Sequence, residues 1–155
     1  MRNMNSAAFM VVVVLVFLPV AVFAAQEISP GLLVSSPGSY DGRNVTIAVT
    51  FEQIESRFLP WEESENLAPN RKIKFSVKPL GNISCFADKN LKNEKILGTL
   101  QAGQEITLDG YLKKGKKEFK TKVKGEYLDR KETIKTGQDF YYFVVKQIET
   151  GEGEK

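Results

Sequence analysis

The sequence predicts a mainly β protein: a small five- to six-stranded Greek-key barrel with one short helix, preceded by a signal peptide. Three observations support this fold class. Several short segments alternate polar and apolar residues, which is the period of half-buried strands. Glycine- and proline-containing turns separate these segments. The first 24 residues differ from the rest, because they contain a long apolar run.

Residues 1–24 have the layout of a secretory signal peptide. A short polar start precedes an apolar run from Ala7 to Phe23, and the small residues Val22 and Ala24 suit cleavage before Ala25. We therefore expect an exported protein, either periplasmic or secreted. If this segment stays uncleaved, we expect it to be the membrane attachment, because its length is marginal for spanning a bilayer.

The remaining chain divides into three predicted parts. Residues 25–39 are rich in proline, glycine and serine and are expected to form an irregular lead-in with one short turn. The barrel domain is predicted over residues 40–149, and residues 150–155 are predicted to be a disordered tail. The barrel's first strand is expected over residues 44–52, and a long loop over residues 55–70 follows it.

The clearest local pattern is a β-hairpin from Lys72 to Ala87. Its two arms are joined by Pro79-Leu80-Gly81, which suits a three-residue loop built on a type I turn. That loop pairs Phe75 with Cys85 and places one apolar face toward the core. We therefore expect Cys85, the one cysteine of the chain, to be a buried and inert thiol.

The second half is predicted to contain one short helix and three strands. Asn93 is expected to cap a helix that ends at Gly98. Strands are expected over residues 105–112, with a bulge or a sharp bend at Gly110, and over residues 118–124, with a polar turn at residues 113–117 between them. The last strand, residues 139–148, is apolar on both faces and should be the most enclosed.

This order of elements resembles the OB-fold, a five-stranded Greek-key barrel with its helix between the third and fourth strands. The segments Tyr40-Asp41-Gly42-Arg43-Asn44-Val45 and Gly103-Gln104-Glu105-Ile106-Thr107-Leu108-Asp109-Gly110 are similar to those of small exported bacterial OB domains and of tRNA-anticodon-binding-like OB domains. The resemblance covers residues 40–149. An SH3-like barrel and a β-sandwich fragment are the alternatives.

The composition argues against several kinds of enzyme. The chain has no histidine and one cysteine, which excludes Ser-His-Asp triads, cysteine–histidine pairs and thiolate metal cages. Glu62, Glu63 and Glu65 lie in a polar loop that offers no apolar pocket to raise a carboxyl pKa. We therefore expect no enzymatic activity, no cofactor and no bound metal.

Two sets of residues are candidate binding sites. The hairpin face opposite the core shows Lys72 and Lys74 with Phe86, and Lys120 and Lys122 are expected to extend this surface. Nucleic-acid-binding OB-folds combine basic and aromatic residues on their second and third strands. The alternative is an ordinary solvated face, with Phe86 under the helix or the long loop.

The second candidate is Trp61, the only tryptophan, in the long loop. An exposed tryptophan beside prolines is suited to anchor a partner. The alternative is that Trp61 folds back over one end of the barrel and closes the core.

We therefore expect an exported, non-enzymatic binding module that engages an envelope or extracellular partner through a barrel face and the loop 55–70. The alternative is that the lysine-rich ribbon 113–124 binds a polyanion, either nucleic acid or an anionic polymer. Export argues against nucleic acid, so an envelope protein or an anionic polymer is the expected partner.

Overall fold

The computed structural model describes residues 25–125 and 130–151. The predicted signal peptide and most of the predicted tail lie outside these residues. Within them, no helix is long and apolar enough to cross a membrane. The elements in chain order are β1 (Gln26–Glu27), α1 (Pro30–Ser35), a 3-10 helix (Pro37–Tyr40), β2 (Asn44–Glu55), α2 (Pro60–Ser64), β3 (Lys72–Lys78), β4 (Ser84–Asp88), α3 (Leu91–Thr99), β5 (Glu105–Val123) and β6 (Arg130–Thr150).

Five strands close into a mixed barrel in the order β2-β3-β4-β6-β5, with β5 pairing back to β2. The β4–β6 pair is parallel and the other pairs of the barrel are antiparallel. The short strand β1 adds to β2 in parallel. The helix α3 lies between the third and fourth barrel strands, so the predicted mainly β, OB-like fold class is confirmed.

Strand β2 forms because its apolar residues occupy every second position. Its inward residues Val45, Ile47, Val49 and Phe51 are all buried in the core, as the pattern predicts. The strand is longer than predicted, since it continues to Glu55 past a register shift between Phe51 and Gln53.

The hairpin β3–β4 has the predicted register, with Phe75 opposite Cys85 and Ile73 opposite Ala87. Its loop is longer than the predicted three residues, because β4 begins at Ser84. Leu80 explains the difference, because its side chain is fully buried in the core. The turn that directs Leu80 inward includes residues 82 and 83, so these residues do not form the strand pairs expected next to the loop.

The predicted helix exists, but the position of its cap was wrong. The side chain of Asn90, not Asn93, accepts a hydrogen bond from a first-turn amide, the backbone N–H of Asn93, at 2.9 Å. Asn93 uses its own side-chain amide to donate to the carbonyl oxygen of Asp88 at 2.8 Å. The helix also continues through Gly98 and ends at Thr99.

The largest departure is the predicted turn at residues 113–117, which does not exist. Strand β5 continues through it with a register shift against β6 between Lys116 and Glu118, so the two strands extend beyond the barrel as a two-stranded ribbon of residues 113–123 and 130–140. The turn was predicted because a glycine, Gly115, lies in the middle of this lysine-rich segment. Gly115 is a buried strand residue opposite Phe140, and a Cβ atom there would lie 2.7 Å from the Phe140 ring.

The lead-in is more regular than predicted. Pro30 opens α1 at a position where a proline costs no hydrogen bond. Leu33 of this helix is fully buried and belongs to the barrel core together with Ile28. The lead-in therefore packs against the barrel and contributes two side chains to its core.

A bulge is present where the sequence predicts an irregularity at Gly110, because the β5–β6 register shifts between Asp109 and Gly110, but the extra residue is Lys146 of β6. A Cβ atom at this glycine would overlap the backbone carbonyl oxygen of Val144 and lie 2.8 Å from the Phe143 ring.

We expect Gly110→Ala to lower the free energy of unfolding by about 1–3 kcal/mol, as overpacking does. Gly98→Ala is the matched control: its site is open and helical, so we expect a gain of about 0.5–1 kcal/mol. Urea titrations of both variants test this, and equal effects would contradict the close packing at the bulge.

Candidate binding surfaces

The loop between β2 and β3 folds over the outer face of the barrel. Phe58 and Leu67 from this loop pack against Phe86 and Tyr142, which project outward from β4 and β6. The rings of Phe86 and Tyr142 meet edge to face, with centroids 5.9 Å apart. The loop thus builds a second, smaller apolar cluster outside the barrel core.

A buried group of charges holds this loop in place. Lys74 and Glu62 are only 4% and 3% exposed. The Lys74 ammonium lies 2.9 Å from a Glu62 carboxylate oxygen and 3.1 Å from Glu55, and it donates to the carbonyl oxygen of Arg57 at 3.3 Å. Glu62 also accepts a hydrogen bond from the backbone N–H of Leu59 at 2.7 Å. The buried charges are therefore paired and hydrogen-bonded, as burial requires.

The prediction that Lys72, Lys74 and Phe86 form an exposed binding face is therefore wrong for two of the three. Lys74 and Phe86 do lie opposite each other, with the ammonium 5.9 Å from the ring centroid, but both are buried under the loop. Lys72 is paired with Asp88 at 2.5 Å. The alternative of Phe86 under the long loop is confirmed.

Trp61 is half-buried and contacts the ribbon rather than one end of the barrel. Its ring lies 6.5 Å from that of Phe119, and the Lys117 ammonium lies 5.6 Å from its centroid. Glu65 adds a second link, because its carboxylate accepts a hydrogen bond from the backbone N–H of Lys116 at 3.2 Å. The loop and the base of the ribbon are therefore joined.

The ribbon has two different faces. Phe119 points toward Trp61, so strand alternation places Lys120 and Lys122 on the opposite side. On β6, Lys131 lies directly opposite Lys122, and Lys135 lies opposite Glu118. We call the four exposed lysines of this side the lysine face: Lys120, Lys122, Lys131 and Lys135.

Like charges directly opposite each other destabilise a strand pair. In the part of the chain that the structure describes, none of the four lysines of this face forms a salt bridge. Glu118 lies on the same side opposite Lys135, so the lysine face carries a net positive charge that the described residues neutralise only in part. It is also separate from Lys72 and Lys74, so the predicted continuous surface of these residues with Lys120 and Lys122 does not form.

Two lysines at the base of the ribbon, Lys114 and Lys116, are different because they share an acidic partner. Asp139 lies 2.6 Å from the Lys114 ammonium and 3.6 Å from that of Lys116. The hydrogen bond from Lys114 holds the pKa of the Asp139 carboxyl below its usual range, and the same bond raises the pKa of Lys114. The four lysines of the lysine face have no such acidic partner within 4 Å among the described residues.

A groove of about 620 Å³ lies between α2, the β3–β4 turn and the base of β6. Trp61, Phe140, Tyr141 and Tyr142 contribute aromatic rings to its lining, and the Phe140 and Tyr142 rings stack with centroids 5.4 Å apart. Burial raises the pKa of the Tyr142 hydroxyl, which therefore stays protonated at neutral pH. The polar lining residues are Glu55, Glu62, Asn82, Ser84, Lys117 and Asp139.

Sequence reasoning missed Lys131 and Lys135 because residues 125–138 look poorly patterned. The signal was present, since Lys131, Thr133 and Lys135 alternate with Glu132 and Ile134. This alternation can be recognised only once the segment is known to be a strand.

No protein-family model matches the chain, and no curated protein matches it. Among solved structures, the chain is similar to one described as an aspartyl-tRNA synthetase from Leishmania major Friedlin. The two are 14% identical with a TM-score of 0.44, and the match covers 93% of this chain but 23% of that one. At this level the similarity supports no functional argument, so the OB-like fold rests on the strand order.

Cys85 is fully buried on the inner face of β4, as predicted. Burial raises the pKa of its thiol, so the reactive thiolate is absent at neutral pH. We expect the native protein to resist a disulfide exchange reagent such as DTNB and to react fully once it is unfolded in urea. Rapid reaction of the native protein, followed by absorbance, would contradict the buried position.

Proposed function

We propose that this chain is an exported, non-enzymatic binding module whose lysine face holds an anionic polymer. The observation that carries the proposal is the direct pairing of Lys122 with Lys131, with Lys120 on the same side of the ribbon. An anion lying between these ammonium groups replaces their mutual repulsion with attraction. Several such groups along a ribbon suit a ligand with repeated negative charges.

The distribution of charge supports the same proposal. Residues 113–140 contain ten basic and five acidic residues. The rest of the chain contains twelve basic and fourteen acidic residues, so the positive excess belongs to the ribbon. A concentrated charge of this kind attracts an anionic partner more strongly than the small net charge of the whole chain would.

The proposal moves the binding surface away from the face of β3 and β4. That face is covered by the chain's own loop, whereas the lysine face is exposed. The N-terminal pattern favours an anionic polymer of the cell envelope over nucleic acid, because an exported protein meets such polymers first.

The test is direct binding of the full mature chain to long-chain polyphosphate, followed by isothermal titration calorimetry. Four lysine contacts predict an affinity loss of roughly 50- to 150-fold between about 50 and 200 mM salt. Polyphosphate should also raise the melting temperature, because it binds the folded state. Absence of binding at low salt, or an affinity that salt does not change, would contradict the proposal.

A further inference from the structure

We infer that the groove between α2, the β3–β4 turn and the base of β6 binds a sugar ring, so that the anionic polymer is a polysaccharide. This inference rests on the proposed function for the identity of the polymer, but its site is separate from the lysine face.

The aromatic side chains that line the groove are preorganised to pack against a sugar ring. Phe140 stacks on Tyr142, and Trp61 lies beside both Phe119 and Lys117. The apolar face of a sugar ring packs on such side chains without requiring them to move, which keeps the entropic cost of binding low. The volume of about 620 Å³ lies within the usual range of small-molecule sites, about 300–1,000 Å³.

The polar lining favours a sugar over a nucleotide. Glu55 and Asp139 place carboxylates at the groove, and Asn82 and Ser84 add an amide and a hydroxyl. A carboxylate has about four acceptor positions, so Glu55 and Asp139 can accept hydrogen bonds from sugar hydroxyls while keeping their lysine partners. The same carboxylates repel a phosphate. Hydroxyl-rich rings therefore fit the groove better than phosphorylated ones.

The groove and the lysine face are near enough to share one polymer. The groove opens beside the free edge of β6, because pairing of β4 with β6 begins only at Tyr142. Lys117 lines the groove, and Lys122 lies five residues further along β5 on the opposite side of the ribbon, about 17 Å away along an extended strand. A polymer that reaches both sites therefore passes around the free edge of β6, and a chain of several linked sugars is long enough to do so.

Binding in the groove can be followed by the fluorescence of Trp61, because it is the only tryptophan and lies in the groove. The probes are hyaluronan and unsulfated chondroitin, acidic polysaccharides in which every second ring is uncharged and can enter the groove, with polyphosphate and oligothymidylate for comparison. At about 0.5 M NaCl, where charge contacts are screened, we expect at least one polysaccharide to keep a saturable change in Trp61 emission. Polyphosphate and oligothymidylate should lose theirs.

Two variants locate the salt-resistant part of the binding. Asn82→Ala changes an exposed residue of the groove, so it should leave the fold intact and weaken polysaccharide binding at high salt about tenfold. Phe140→Leu should abolish that binding, with circular dichroism melts used to check folding. Lys122→Ser is the control and should weaken binding only at low salt.

The outcomes separate the two proposals. If every polysaccharide loses its Trp61 signal at high salt while polyphosphate binds at low salt, the groove inference is wrong and the lysine face stands. If polysaccharides bind at high salt but polyphosphate never binds, the lysine face is wrong. Equal salt-resistant binding of oligothymidylate would overturn the choice of sugar over nucleotide.

Discussion

Lys74→Met should lower the free energy of unfolding by about 3–5 kcal/mol, the usual cost of leaving a buried charge without its partner. Methionine replaces the aliphatic part of the lysine but removes its ammonium. Glu62 would then keep only the backbone N–H of Leu59 as a hydrogen-bond donor, in a site that is 3% exposed. The measurement is a urea titration followed by circular dichroism and by the emission of Trp61.

Lys72→Met is the matched control, because Lys72 belongs to the same strand and pairs with the exposed Asp88. Exposed ion pairs contribute about 0–1 kcal/mol, so this variant should be nearly neutral. The double variant of Lys74→Met with Glu62→Gln should recover part of the loss, since it removes both charges of the pair. If the two single variants cost the same, the loop does not bury Lys74 as described.

Replacing Lys120, Lys122 and Lys131 together by serine should weaken polyphosphate binding on the order of 10²-fold at low salt. The physical reason is that three phosphate contacts, and the counterion release that accompanies them, are lost at once. The dependence of log K on log salt should become less steep by about 2–3. Stability should rise slightly, because the repulsion between Lys122 and Lys131 disappears.

The control variant also loses three lysines, but from a surface away from the ribbon. Lys89, Lys92 and Lys95 are exposed lysines at and just before α3, away from the ribbon. Their triple replacement by serine should change the affinity only a few-fold through the general field of the protein. Equal losses from the two triple variants would show that net charge, and not the lysine face, determines binding.

The parts of the fold that the sequence predicted well are those set by local alternation. The register of Phe75 with Cys85 follows from the apolar pattern, because a shift by one residue would turn every apolar side chain outward. The buried face of β2 follows from the same rule. The same register correctly placed Cys85 on the buried face of the hairpin.

The parts that the sequence could not predict depend on contacts between distant residues. Lys74 looks like a solvated lysine until Glu55 and Glu62 are brought to it by the folding of the loop. Gly115 looks like a turn residue until Phe140 is placed opposite it. The lysine face could not be predicted for the same reason as Gly115, because it exists only when β5 and β6 pair beyond the barrel.

The most direct test of the central claim is to map polyphosphate binding by amide NMR shifts on the isotopically labelled mature chain. We predict that the shifts concentrate on residues 118–123 of β5 and 131–135 of β6, and that they reverse at high salt. Shifts concentrated instead on Lys72–Lys78 and Ser84–Asp88, with the ribbon unchanged, would contradict the account.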